Sequence, residues 1–176
     1  MNKKILSKNF FNRPTLIVAK ELLGKFLVRK YHGKNPPANE TLMITEVEAY
    51  DGFDDKASHA SRGKTERNKI MFGEAGKWYI YFTYGMHWML NIIVGPKNYP
   101  AAILIRTAGK ISGPARLTKY LKIDKKFNGK PTNKKTKLWI EDSGVKISKS
   151  QIAKRERVGV DYAGKWANKL YRFMIK

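Results

Sequence analysis

KWYIYFTY (77–84), MHWMLNIIVG (86–95) and AAILIRT (101–107) are the most apolar stretches of the chain, and their reading decides the fold. Each reads as a strand, being short and rich in β-branched or aromatic residues. Gly85 marks a tight turn between the first two, and Gly95-Pro96 opens the connection to the third. The three together predict an antiparallel meander at the core. Working outward, KFLVRKY (25–31) and TLMITEVEA (41–49) read as further strands, separated by a proline-containing loop at 32–40. Residues 14–23 predict a helix, with Pro14 in its first turn, apolar residues at helical spacing and Gly24 as the stop. A second helix is expected over 113–123, beginning at Pro114. Residues 51–76 carry glycine and charge with little periodicity and read as one long irregular segment, a feature that usually serves function. Residues 124–137 read as an exposed basic loop, and 137–141, 145–148, 157–160 and 171–175 as short strands. The expected class is α+β: a single compact domain over residues 1–176, with a curved, mainly antiparallel sheet flanked by helices and long loops.

The chain has 36 basic and 14 acidic residues, a formal net charge of +22. Such a field attracts polyanions and speeds encounter with them. Nucleic acid is the leading partner and an anionic membrane surface the second, although an excess of lysine (27 against 9 arginines) also arises from genome composition. There is no cysteine, which excludes disulfides, zinc thiolate sites and cysteine nucleophiles. A metal would have to use His32, His59 and His87 or carboxylates. No apolar run is long enough for a membrane helix, and the basic N-terminus lacks the apolar stretch of a signal peptide, so a cytoplasmic protein is expected.

Five of the 14 carboxylates fall between residues 46 and 55: Glu46, Glu48, Asp51, Asp54 and Asp55. Gripping phosphate gains nothing from concentrated negative charge, whereas chemistry on nucleic acid often uses carboxylates as bases or metal ligands. An acidic turn paired with nearby lysines is the plainer reading. Strand alternation puts Leu42, Ile44, Glu46 and Glu48 on one face, the two glutamates roughly 7 Å apart. A carboxylate among apolar neighbours is driven to a higher pKa, as suits a general base, unless a salt bridge holds it. Aromatic side chains interleaved with basic ones stack on bases, yet most strand aromatics are core; Tyr84, at a strand exit, is best placed to protrude. Asn91, inside MLNIIV, either ties the fold together or points into a site. Arg106 ends an apolar strand, where it anchors a phosphate or reaches solvent.

EVEAYDG (46–52), SHASRGKTERN (58–68), MFGEAGKWYIYFTYGMHWMLNIIV (71–94), AAILIRTA (101–108) and RVGVDYAGKWANKLYRF (157–173) resemble, in order and with matching spacing, the alkyladenine DNA glycosylase family. FFNRPTLIVAKELLGKFLVR (10–29) resembles that family's opening helix and strand. The resemblance implies a base-excision repair enzyme without metal or other cofactor. It would extrude alkylated or deaminated purines (3-methyladenine, 7-methylguanine, hypoxanthine) from double-stranded DNA and hydrolyse the N-glycosidic bond. It implies Glu48 as general base, and Tyr50, His59 and Tyr81 as walls of the base pocket. Tyr84 would be the wedge inserted into the duplex. Asn91 would be the gate against the exocyclic amine of guanine, and Arg106 would sit near the water and the target's backbone. Glu46 has no assigned role beyond structure. Two departures stand out: Glu66 where many members have proline, and Thr107-Ala108-Gly109 where the family often follows its arginine with an acidic residue and a proline. A bacterial, nucleoid-associated monomer is the corresponding expectation. Two other classes compete: a metal-dependent nuclease built on the 46–55 carboxylates, and a non-enzymatic basic nucleic-acid-binding protein. A chelator abolishes the first activity and leaves a glycosylase untouched; Glu48→Gln leaves the second unchanged.

Overall fold

The computed structural model describes residues 3–31 and 39–176; most of the loop expected at 32–40, with His32, lies outside the described residues. In chain order the elements are β1 (Lys4–Ile5), α1 (Lys8–Phe11), α2 (Thr15–Leu22), β2 (Phe26–Lys30), β3 (Asn39–Asp51), β4 (Trp78–Thr83), β5 (His87–Ile93), β6 (Ala101–Ala108), β7 (Ile111–Ser112), α3 (Pro114–Tyr120), β8 (Leu138–Asp142), β9 (Ile152–Arg155) and β10 (Arg172–Ile175). The strands form one antiparallel sheet, ordered β1-β8-β2-β3-β6-β5-β4, with β10 and β9 joining through β3 and β7 through β6. The expected α+β class and the β4–β5–β6 meander are therefore present. Helix α2 buries Val18, Ala19 and Leu22 against the sheet, and one core cluster reaches from Leu6 to Phe173.

The longest strand, β3, positions the site through an irregularity. Ile44 faces Ala108, Glu46 faces Thr107 and Val47 faces Ile105, so the register shifts on both sides of Glu46. Core residues switch parity at this point on both strands: Ile44 gives way to Val47 and Ala49 on β3, and Ala101, Ile103 and Ile105 give way to Ala108 on β6. This corrects the expectation that Leu42, Ile44, Glu46 and Glu48 share a face. Regular alternation would have driven both glutamates into the core beside Ile44; the irregularity re-aims the strand and puts them on the opposite face.

Three other expectations change. Residues 145–148 form no strand; their apolar residues pack instead, Ile147 and Val145 closing over Gly24. Residues 157–160 form no strand either, because Arg157 is drawn into a buried ion pair and the backbone turns toward β3. The strand lies just before, at β9, where alternation is too short to read. The supposed loop at 124–137 buries Phe127 and covers the free edge of β4: Asn128 accepts from the Ile80 amide (3.0 Å) and the Lys130 carbonyl from Trp78 (2.9 Å). Sealing an edge strand in this way prevents pairing with another chain.

At the exit of β3, Gly52 has φ +78° and sits under Tyr99, whose hydroxyl donates to Asp51 (3.0 Å). A methyl group there would overlap the Tyr99 ring and force a left-handed side-chain residue. Gly52→Ala is expected to lower unfolding free energy by about 1–3 kcal/mol, read from urea denaturation, whereas a surface Gly144→Ala, with open space around it, loses only the backbone part.

Candidate active site

The face of the sheet away from the main core carries a row of paired residues running across four strand junctions. Tyr79 lies opposite Asn91, Asn91 opposite Leu104, Leu104 opposite Glu48, and Glu48 opposite Arg172. Four of these, all but Arg172, line a cavity of about 430 Å³, walled by Tyr50, His59, Tyr81 and Arg106 and reaching Tyr84 at its mouth. The structure thus gathers all seven residues singled out from sequence around one space.

Glu48 is 0% exposed. Its Oε1 accepts the Val158 amide at 2.8 Å and lies 3.2 Å from Nη1 of Arg106; its Oε2 accepts the Tyr50 hydroxyl at 3.0 Å. Burial pushes its pKa above the ordinary glutamate value. The Arg106 charge, the Val158 amide and the Tyr50 hydroxyl pull in the other direction without cancelling that rise. Glu46 differs. Burial also works against its charge, but Thr107 (2.6 Å), Arg172 (3.1 Å) and Arg106 (3.1 Å) outweigh it and hold the pKa low. Two glutamates two residues apart therefore have opposite electrostatic settings. Glu46 acts as a bracket for two arginines, and Thr107, one of the departures noted above, supplies part of that bracket.

His59 closes one wall: its Nδ1 is 3.0 Å from the Tyr79 hydroxyl and its ring stands edge-on to Tyr81, centroids 4.5 Å apart. Partial burial, then the nearby Arg67 charge, lower its pKa, which favours the neutral ring. Burial pushes Tyr81 well up and Tyr79 to about 12, so both stay as hydroxyl donors. Asn91 is buried and donates to the Tyr79 carbonyl (3.1 Å), so it both ties β4 to β5 and lines the cavity. Tyr84 sits at the tip of the β4–β5 hairpin with φ +52°, followed by Gly85 at +63°, and is 78% exposed. Two successive left-handed residues suit a tight hairpin turn. The turn leaves the Tyr84 ring in solvent at the mouth of the cavity.

Sequence reasoning missed several contributors. The segment expected to be irregular at 51–76 includes 3-10 turns at His59–Arg62 and Lys69–Phe72. Asn68, buried, pins the first by donating to the carbonyls of His59 and Gly63, each at 2.9 Å. Asp55 and Arg157 form an ion pair with both side chains 0% exposed. Asp55 belongs to the acidic run, so its carboxylate was visible; its partner, over a hundred residues away, was not. The remaining carboxylates of that run do not converge. Asp51 accepts from Thr15 and Tyr99, and among the described residues no three acidic or histidine side chains form a metal-binding group.

The family model for methylpurine-DNA glycosylase matches residues 9–112 and 107–176. A relative from Methanocella arvoryzae, provisionally named a 3-methyladenine DNA glycosylase, is 40% identical over 98% of this chain and 92% of its own. Relatives with the same provisional name from Legionella pneumophila (strain Corby) and the Wolbachia of Brugia malayi are 39% and 47% identical, covering 97% and 73% of this chain and 94% and 75% of theirs.

The Glu46 bracket is testable by stability. Thr107→Val removes a hydrogen bond to an ionised group and is expected to cost on the order of 1–3 kcal/mol near neutral pH. Because folding depresses the Glu46 pKa, its contribution is present above the unfolded-state pKa and is lost as pH falls through the folded-state value. The difference between wild type and variant in urea denaturation therefore closes in acid. The chain belongs to the methylpurine-DNA glycosylase family.

Proposed function

We propose that the protein binds duplex DNA, extrudes an alkylated or deaminated purine into the cavity and hydrolyses its N-glycosidic bond with water activated by Glu48. The observation that carries this reading is a desolvated carboxylate on the floor of an aromatic-walled cavity of about 430 Å³, a volume within the range of small-ligand pockets. A base inside the stack hides its glycosidic carbon, so extrusion must precede chemistry. Extrusion costs a few kcal/mol, and a side chain filling the gap offsets part of it. Tyr84, exposed at the mouth on a tight turn, is the wedge. The net charge of +22 supplies backbone grip without sequence reading.

Inside the cavity, Tyr50, His59 and Tyr81 present aromatic surface to an electron-poor ring. Asn91, fixed by its bond to Tyr79, meets the base edge and disfavours the exocyclic amine of normal guanine. As the C1′–N bond breaks, its electron pair leaves with the purine and the sugar becomes oxocarbenium-like. Water forms the new C1′–O bond and gives a proton to Glu48. A carboxylate has about four lone-pair positions; the Val158 amide and the Tyr50 hydroxyl take two, and Arg106 adds its charge 3.2 Å from Oε1, so acceptor capacity remains for that water. Arg106 favours the ionised carboxylate and opposes part of the effect of burial. Lesions alkylated at a ring nitrogen leave readily because the base is already cationic; neutral hypoxanthine depends more on the protein. The preferred substrates are thus 3-methyladenine and 7-methylguanine.

The test is base release from duplex DNA containing one such lesion, with chelator present and strand breaks read before and after alkali. Breaks only after alkali, lost in Glu48→Gln, support a hydrolytic glycosylase. Direct breaks requiring a divalent metal would instead support a nuclease, and bound DNA with no product on any lesion a binding protein. Tyr84→Ala is expected to slow excision more at a well-paired lesion than at a mismatched one, because only the former needs full help in unstacking. Equal loss at both would contradict the wedge.

A further inference from the structure

We infer that Arg157, locked by Asp55, is a positioning residue that delivers the Val158 amide to Glu48 and thereby sets the pH at which the base works. This deepens the reading of Glu48 as general base and rests on it.

Arg157 lies where three segments meet. Its guanidinium pairs with both oxygens of Asp55, 2.8 Å on the Nη2 side, and donates to the carbonyls of Ala49 (2.9 Å) and Trp166 (3.1 Å). Asp55 in turn accepts from the backbone amides of Asp51 (3.0 Å) and Ala57 (3.1 Å). One ion pair therefore joins the end of β3, the pocket-wall loop and the segment after β9. The residue bonded through Ala49 directly follows Glu48, and the residue following Arg157 supplies the amide 2.8 Å from Glu48 Oε1. The guanidinium also lies 4.9 Å from the Tyr50 ring centre, holding the side chain whose hydroxyl donates to Oε2.

Stability alone does not explain the arrangement. Breaking water contact for both charges is expensive, and Nε of Arg157 is buried with no hydrogen-bond partner among the described residues. Val158, meanwhile, is 52% exposed, so its own side chain does little to fix its backbone. The amide is held in place from the neighbouring residue. The ionisable groups acting on Glu48 are Arg106 from β6, Arg172 from β10, Tyr50 from β3, Tyr81 from β4 and Arg157 itself. Of these, Arg106 and Arg172 are shared with Glu46. The Tyr50 hydroxyl and the Val158 amide are not shared with Glu46, but the Tyr50 side chain also walls the cavity, so the amide is the donor whose loss falls on Glu48 alone.

The experiment measures single-turnover excision against pH for wild type, Asp55→Asn, Arg157→Lys and a protein carrying an ester in place of the Val158 amide, with Glu48→Gln as reference. Losing one hydrogen bond to the ionised form moves the acid limb upward by roughly one pH unit. That shift is expected in the ester protein and in Asp55→Asn, with a smaller shift in Arg157→Lys, which keeps the charge. The ester protein retains every side chain, so it decides the matter even where the ion-pair variants fold poorly. An unchanged acid limb in the ester protein overturns the inference while leaving Glu48 as base. Wild-type excision by Glu48→Gln overturns the reading of Glu48, and the inference falls with it.

Discussion

A carboxylate shut away from water is the constraint on which the rest of the structure depends. An isolated buried charge costs several kcal/mol, and a glutamate left alone at that position would simply stay protonated. Glu48 is kept useful by a compromise: enough burial to raise its basicity, enough donors to leave it able to ionise. The charge and the two donors that act on it come from different parts of the chain. Arg106 comes from β6, Tyr50 from the same strand two residues on, and the Val158 amide from a segment 110 residues away. Sheet strands and the segment after β9 together set the proton affinity of one side chain.

The paired irregularity in β3 and β6 makes this arrangement compatible with a core. Ile44 and Ala108 pack on one side of it, Val47 and Ile105 on the other, and apolar contact is continuous through the switch. The cost of the disturbed ladder is offset by the Glu46 bracket at the same point, where Thr107 and two arginines converge on one carboxylate. Arg106 spans the two glutamates, Nε bonded to Glu46 and Nη1 3.2 Å from Glu48. Rigidity at the floor contrasts with the mouth, where Tyr84 stands on a tight turn in solvent. A hydrogen-bonded floor with an exposed tip is the arrangement on which the proposed extrusion of a base draws.

Much of this was legible from the chain. The β4–β5–β6 meander declared itself through apolar runs cut by Gly85 and Gly95-Pro96, and α2 and α3 through proline at their starts. Glu48, Tyr84, Asn91 and Arg106 stood out by their places in the strands, the family resemblance added Tyr50, His59 and Tyr81 as pocket walls, and all seven line one cavity. Alternation alone misplaced Glu46 and Glu48 relative to Ile44, since a bulge shifts parity without leaving a local residue signature. Residues 145–148 and 157–160 look like strands because they are apolar; they satisfy that pattern by packing rather than by pairing. The Asp55–Arg157 pair was invisible for a further reason: electrostatic partners over a hundred residues apart carry no periodicity that links them.

The most direct measurement is the titration of the Glu48 carboxyl itself, followed by carbon NMR in protein labelled at glutamate and assigned through Glu48→Gln. The account predicts a midpoint above the 4.5 of an ordinary glutamate, coinciding with the acid limb of base excision. A midpoint at or below that value, or an acid limb that follows some other group, would contradict it.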